Sequence, residues 1–66
     1  MRIIVNGDPL EIAGPLTITE LLKRLDIDHR RVAIEQNLVV LKRAMLDEAQ
    51  VRDGDTIEIV NFVGGG

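Results

Sequence analysis

The chain opens with two short apolar stretches separated by turn residues. Residues 2–6 are rich in Ile and Val and predict a first β-strand. Residues 6–9 begin with Asn-Gly, a pair that tolerates the positive φ angles of a tight hairpin turn. Residues 10–13 are expected to return as the second strand, so the chain begins with a β-hairpin.

The next segment has the period of an amphipathic helix. Thr17 is the predicted N-cap, and Glu20 completes a capping box with it three residues later. The apolar residues that follow form one stripe, at Ile18, Leu21, Leu22 and Leu25. The stripe predicts a helix that packs onto a sheet.

Beyond the helix, a polar stretch leads into a second predicted hairpin. Residues 26–31 are charged and are expected to form a loop. Residues 32–35 predict the third strand and residues 38–41 a short fourth strand, joined by a turn at residues 36 and 37.

The last third of the chain predicts an irregular segment and one long strand. Residues 45–50 are expected to be irregular or to form a single helical turn, with Leu46 and Val51 filling the core. A turn at residues 53–55 then leads into residues 56–63, the most β-prone stretch of the chain.

This order of elements predicts an α+β fold of the β-grasp type, in which one main helix packs across a mixed β-sheet. A doubly wound sheet is excluded because it needs helices on both faces. With 66 residues there is room for one domain. We expect it to span residues 1–63 and to be followed by a flexible C-terminal glycine tail, residues 64–66.

Composition and charge exclude several classes of protein. Eight Lys and Arg against eleven Asp and Glu give a formal net charge of −3, which disfavours non-specific nucleic-acid binding. No apolar run approaches the roughly 20 residues that span a bilayer, so no membrane partner is expected. The absence of Cys, and of a signal peptide before the first strand, predicts a cytoplasmic protein.

The side chains offer no catalytic constellation, so an enzyme is not expected. Cys, Ser, Tyr and Trp are all absent, which removes most nucleophiles. His29 is the single histidine, and it has neither a second His nor a Cys with which to hold a metal ion. We therefore predict no metal site and no cofactor bound by this chain.

The sequence closes with Gly64, Gly65 and Gly66, which are the remaining candidates for chemistry. Three extended residues reach about 10 Å, and without Cβ atoms they can thread a channel too narrow for other residues. The Gly66 carboxylate can attack the α-phosphate of ATP, and a sulfur nucleophile can capture the resulting acyl-adenylate. The alternative at this point is an inert tail.

Five motifs, in order, point to a known family. They are Ile-Ile-Val-Asn-Gly at residues 3–7, Thr-Ile-Thr-Glu-Leu-Leu at 17–22, Val-Ala-Ile-Glu-Gln-Asn at 32–37, Asp-Gly-Asp with Ile-Glu-Ile-Val at 53–60, and Phe-Val-Gly-Gly-Gly at 62–66. With these motifs the chain resembles the ThiS-type sulfur carriers of thiamine biosynthesis, which belong to the ubiquitin-like β-grasp family.

The resemblance implies a defined cycle of reactions. An E1-like adenylyltransferase, which supplies ATP and metal, would adenylate the Gly66 carboxylate. A sulfur-relay protein would convert it to a thiocarboxylate, and this group would donate sulfur to thiazole synthase. Gly65 and Gly66 match the family motif directly, whereas Gly64 matches a position where the family also uses other small residues.

Alternation along the last strand predicts a docking surface beside the tail. Ile57 and Ile59 share one face of the strand, and Val60 and Phe62 lie on the other. If the first pair faces the helix, Val60 and Phe62 are exposed and suit a groove on a partner. The alternative is that Phe62 fills the end of the core.

Two other functions remain open at this point. A carrier for molybdopterin synthesis or tRNA thiolation, similar to MoaD, would share the Gly-Gly terminus. A non-reactive β-grasp interaction module would bind partners through its sheet and would tolerate extra residues after Gly66.

Overall fold

Seven strands and one α-helix make up the regular structure of residues 1–62, which a computed structural model describes. The strands are β1 (Arg2–Val5), β2 (Asp8–Glu11), β3 (Leu16–Thr17), β4 (Val32–Gln36), β5 (Val39–Leu41), β6 (Gln50–Val51) and β7 (Thr56–Asn61). The α-helix α1 spans Ile18–Arg24, and two 3₁₀ helices span His29–Arg31 and Arg43–Met45.

Five of these strands form a mixed sheet in the order β2-β1-β7-β4-β5. The central strand β7 is parallel to β1 and antiparallel to β4, and the two outer pairs are antiparallel hairpins. Because α1 buries Ile18, Leu21 and Leu22 in the core, one helix covers the sheet. This arrangement confirms the predicted α+β fold.

The helix begins as its sequence predicts. The Thr17 hydroxyl accepts a hydrogen bond from the backbone N–H of Glu20 at 3.2 Å, and the Glu20 carboxylate accepts one from the N–H of Thr17 at 2.8 Å. This reciprocal pair is a capping box. The predicted stripe is buried at three of its four positions, while Leu25 is half-buried at the C-cap.

The first hairpin turn lies at the predicted Asn-Gly pair but is shorter than predicted, and the second turn lies one residue beyond its predicted position. The first strand pair closes directly around Asn6 and Gly7, which have φ values of +49° and +86°, so β2 starts at Asp8 and not at residue 10. The second turn uses Asn37 and Leu38, with φ values of +52° and +72°. The observed strand β5 therefore starts at Val39, one residue later than the predicted strand over residues 38–41, because Leu38 belongs to the turn.

A second, two-stranded sheet was not predicted. Here β3 pairs antiparallel with β6, so that Leu16 lies opposite Val51. The segment before β6 also accepts hydrogen bonds from the first helical N–H groups, from Ile18 to the Ala49 carbonyl at 3.0 Å and from Thr19 to the Leu46 carbonyl at 3.1 Å. These contacts hold the irregular segment against the start of the helix.

Within residues 1–62, twelve apolar side chains are buried in the core, most of them on the two sheets and the helix. They are Ile3, Ile12, Leu16, Ile18, Leu21, Leu22, Val32, Ile34, Leu46, Val51, Ile57 and Ile59. Leu46 and Val51 are therefore in the core, as predicted. Within residues 1–62, no helix is long and apolar enough to cross a membrane.

The last strand is shorter than predicted, since β7 ends at Asn61. Residue 63, with Gly64, Gly65 and Gly66, lies outside the described residues. The boundary of the domain at residue 63 and the flexible tail over residues 64–66 therefore remain predictions.

Candidate functional site

The described part of the candidate site is the end of β7, because the predicted reactive residues Gly64, Gly65 and Gly66 lie beyond residue 62. This strand occupies the centre of the main sheet, between β1 and β4. Phe62 thus follows a strand that is paired on both sides rather than an edge strand.

The two faces of β7 differ as the alternation predicts. Ile57 and Ile59 are buried against the helix side, with 0% and 8% of their surface exposed. On the other side, Val60 is 55% exposed, and Phe62 beyond the strand end is 57% exposed. Phe62 therefore does not fill the end of the core, and that alternative is excluded.

A hydrogen bond keeps Phe62 aligned with the sheet after the strand ends. Its backbone N–H donates to the Arg31 carbonyl at 2.8 Å, one step beyond the pair formed by Val32 and Asn61. The first 3₁₀ helix, capped by Asp28, places Arg31 at this point. Phe62, the last residue that the structure describes, thus has a defined backbone position.

Asn6 also anchors β7, a role that its position in a turn did not predict. Its side-chain Oδ1 accepts a hydrogen bond from the Ile59 N–H at 2.7 Å, and its Nδ2 donates to the Ile59 carbonyl at 3.1 Å. The Asn-Gly pair signals a turn in the sequence, but nothing in the local pattern reveals a partner 53 residues away.

The face of the sheet opposite the helix carries both apolar and acidic residues. In the register of β4 and β7, Val60 lies opposite Ala33, and Glu58 lies opposite Glu35. On the next strand, Val40 lies opposite Glu35 and is 66% exposed. This face is therefore an open surface with apolar positions on either side of two carboxylates.

Two carboxylates elsewhere are held in their charged form by hydrogen bonds. Side-chain and backbone hydrogen bonds from Arg30 lower the pKa of Asp28 to about 2. Burial raises the pKa of Asp55, but hydrogen bonds from Asn37, the Arg52 backbone and Gln36 outweigh it and leave that pKa below its usual value. Both carboxylates stabilise turns and neither lies on β7.

The side chains of residues 1–62 offer no other reactive arrangement. His29 is exposed on the first 3₁₀ helix. No three His, Asp or Glu side chains in this part of the chain come together in a way that could hold a metal ion.

Known proteins resemble the chain in both sequence and structure. The ThiS family model matches residues 3–66. The chain is 38% identical over 66 residues to thiazole synthase from Paramagnetospirillum magneticum, and all of the chain matches but only 20% of that longer protein. It is 30% identical over 66 residues, or 100% of both chains, to the sulfur carrier protein ThiS of Escherichia coli.

A solved structure extends the likeness to the fold. The crystal structure of a thiamine biosynthesis protein (ThiS) from Geobacter metallireducens has a TM-score of 0.88 and 40% sequence identity, with 100% of both chains covered. This likeness and the mixed sheet confirm the ubiquitin-like β-grasp fold. Together with the match over residues 3–66, they show that the chain belongs to the ThiS family.

Proposed function

We propose that the chain is a sulfur carrier of thiamine biosynthesis whose Gly66 carboxylate is adenylated, converted to a thiocarboxylate and used as a sulfur donor for thiazole synthase. The observation that carries this proposal is the family match over residues 3–66, which includes the three terminal glycines of the sequence. The chain then acts as a protein co-substrate, and other proteins catalyse each step.

The chemistry requires an activated carboxylate. A carboxylate oxygen of Gly66 attacks the α-phosphorus of ATP and releases pyrophosphate. A persulfide sulfur of the relay protein then displaces AMP to give an acyl disulfide. A protein thiol of the sulfur-transfer machinery cleaves its S–S bond, forms a disulfide with the relay sulfur and leaves the thiocarboxylate. The chain has no Cys, Ser or Tyr that could replace the carboxylate as the nucleophile that attacks ATP. An E1-like adenylyltransferase supplies ATP, metal and positioning, and the relay protein supplies sulfur.

Thiazole synthase is the proposed acceptor because a thiazole synthase contains a segment similar to the whole of this chain. The same comparison favours the thiamine pathway over the molybdopterin and tRNA-thiolation alternatives. We place the reaction in the cytoplasm, in keeping with a chain that has no Cys.

Gly64 and Gly65 are proposed to thread the partner's channel, because a residue without a Cβ passes where others clash. Val60 and Phe62 are proposed to dock on the partner surface beside that channel. Their support is their exposure, 55% and 57%, at the end of β7. Exposed apolar groups of this kind are typical of contact surfaces.

A reconstituted reaction tests the proposal. The chain is incubated with an E1-like adenylyltransferase, ATP, a sulfur-relay protein and thiazole synthase, and the thiazole product is quantified. We expect product only with the unmodified chain, and none when Gly66 is deleted or when one residue is added after it. Glu11→Gln, an exposed change on the edge strand β2, is the control and should leave the yield unchanged.

Product formed with the extended chain would contradict the carrier chemistry. That result would make the non-reactive interaction module the better description of the protein.

A further inference from the structure

Half of the chain's basic residues lie at the end of the sheet where β7 ends. Four of the eight Lys and Arg residues occupy the two 3₁₀ helices or the position just before the second one, at Arg30, Arg31, Lys42 and Arg43. The chain as a whole carries a net charge of −3, so this concentration of positive charge runs against its overall balance.

Two hydrogen bonds and a shared cleft place Arg31 and Arg43 near Phe62, and Lys42 directly precedes Arg43 in the chain. The Phe62 N–H donates to the Arg31 carbonyl at 2.8 Å. The Arg43 guanidinium donates through Nη2 to the Arg30 carbonyl at 3.3 Å, which brings the second 3₁₀ helix to the first. We call Arg31, Lys42 and Arg43 the basic rim.

The basic rim forms no ion pair within residues 1–62. The ion pairs formed within residues 1–62 join Arg2 to Glu11 at 3.8 Å and Arg30 to Asp28 at 3.1 Å. Arg30 is therefore neutralised, whereas the three rim residues are exposed and keep their charges unpaired in this range. A local charge of this sign attracts an acidic surface.

A cleft lies next to the rim. Its volume is about 170 Å³, and it is lined by Val32, Ala33, Ile34, Leu41, Arg43, Leu46 and Phe62. The cleft sits where β4 extends beyond its neighbour, because β5 pairs with Ile34–Gln36 and leaves Val32 and Ala33 without a partner on that edge. Most of the residues that line the cleft are apolar, and Arg43 contributes the one charged group.

The size of the cleft indicates what it can hold. Small-molecule sites usually measure about 300–1,000 Å³, so this cleft is too small for a nucleotide. A single apolar side chain is a better fit, and a partner protein can supply it together with carboxylates for the rim.

We propose that the cleft and its basic rim form a docking site for an acidic surface of thiazole synthase, which inserts one apolar side chain beside Phe62. The inference rests on the proposed function, since it deepens the assignment of thiazole synthase as the acceptor. Docking at this point holds the partner against the end of β7, and Phe62 is the described residue closest to the tail in sequence. The rim speeds association and orients the partner through its charge.

Two matched double variants test the role of the charge. Arg31→Gln with Arg43→Gln removes two charges from the rim, and Arg2→Gln with Arg24→Gln removes two exposed charges elsewhere, so both variants have the same net charge. The dissociation constant for purified thiazole synthase is measured at several salt concentrations. We expect the rim variant to bind about tenfold more weakly at low salt and to depend less on salt, and the control to change by less than about twofold.

A cleft-filling change tests the apolar part. Ala33→Leu places a branched side chain in the cleft lining and should weaken binding about tenfold, whereas Ala13→Leu at an exposed position should not. Thermal unfolding of each variant reports whether the fold is kept. Because the charge variants alter exposed residues only, they test the site even if Ala33→Leu unfolds.

Equal losses in the two double variants, or no loss in either, would overturn the docking site. A rim variant that binds thiazole synthase normally but needs more ATP for adenylation would assign the rim to nucleotide binding and would also overturn it. Neither result affects the proposed function if sulfur still reaches Gly66, so the two proposals fail separately. A wild-type chain that does not bind thiazole synthase contradicts both the acceptor and the site.

Discussion

The side-chain amide of Asn6 forms two hydrogen bonds with the backbone of Ile59, accepting from its N–H at 2.7 Å and donating to its carbonyl at 3.1 Å. The backbone N–H of Asn6 also donates to the Ile57 carbonyl at 2.9 Å. One residue thus closes the first hairpin and then uses its side chain to continue the β1–β7 ladder after β1 has ended. The strand that leads to the proposed reactive tail is therefore fixed by a residue near the start of the chain.

Asn6→Gly should destabilise the fold by about 1–3 kcal/mol, because it removes two hydrogen bonds that each contribute about 0.5–1.5 kcal/mol. Glycine accepts the φ of +49° without strain, so the turn itself is retained and the loss isolates the side chain. Urea unfolding at neutral pH measures the free energy of unfolding. A variant within about 0.5 kcal/mol of the wild type would show that the Asn6 amide is not needed to hold β7.

Asp55→Asn should lower stability at neutral pH by about 1–2 kcal/mol and should remove part of the acid sensitivity of the fold. The Asp55 carboxylate accepts hydrogen bonds from Gln36, Asn37 and the Arg52 N–H at 2.9, 3.0 and 2.8 Å. Burial raises its pKa, but these bonds lower it overall, so the folded-state pKa lies below the unfolded one. The carboxylate therefore contributes stability that is fully present above the unfolded pKa and is lost as the pH falls through the folded one.

Unfolding curves of the wild type and of Asp55→Asn, recorded from neutral to acidic pH, check this prediction. The difference in free energy of unfolding should shrink as the pH falls. A difference that stays constant with pH would mean that the charge of Asp55 does not contribute.

Leu38→Gly should raise stability by about 0.5–1 kcal/mol, because it relieves a leucine held at a φ of +72°. The Leu38 side chain is 86% exposed, so little packing is lost with it. Leu38→Ala keeps the Cβ that causes the strain and is the matched control, with no gain expected. If both variants gain equally, the effect comes from removing an exposed apolar side chain and not from the backbone.

Phe62→Ala should weaken binding to the E1-like adenylyltransferase by about tenfold while changing the free energy of unfolding by less than about 0.5 kcal/mol. The reason is that Phe62 is 57% exposed and lies outside the core. Val39→Ala, on the edge strand β5, removes a similarly exposed apolar group away from the end of β7 and should leave binding unchanged. Equal losses of binding and stability in Phe62→Ala would show that Phe62 supports the fold and has no separate docking role.

Elements that are long enough to show a hydrophobic period could be predicted from the sequence. Elements that depend on partners distant in the sequence could not. The helix was predicted from its cap at Thr17 and its apolar stripe, and β7 from its alternation. The pairing of β3 with β6 rests on two residues in each strand, which is too short to show a period. The turn at Leu38 was displaced because a leucine carries no signal for positive φ.

The candidate site likewise has one part that the sequence predicted and one part that it did not. Alternation along one strand was enough to predict that Val60 and Phe62 are exposed. The basic rim was not predicted, because Arg31 and Arg43 are 12 positions apart and only the meeting of the two 3₁₀ helices brings them to the same end of the sheet. Charge clusters assembled by tertiary structure leave no local pattern.

Intact-mass spectrometry tests the central claim most directly. The chain is incubated with its adenylating enzyme, ATP and a sulfur source, and a chain without Gly66 serves as the control. The account predicts a mass increase equal to the replacement of one oxygen by sulfur, with fragmentation placing the change on Gly66 and no change in the control. An unaltered mass with an enzyme shown to be active, or the same increase in the control, would contradict it.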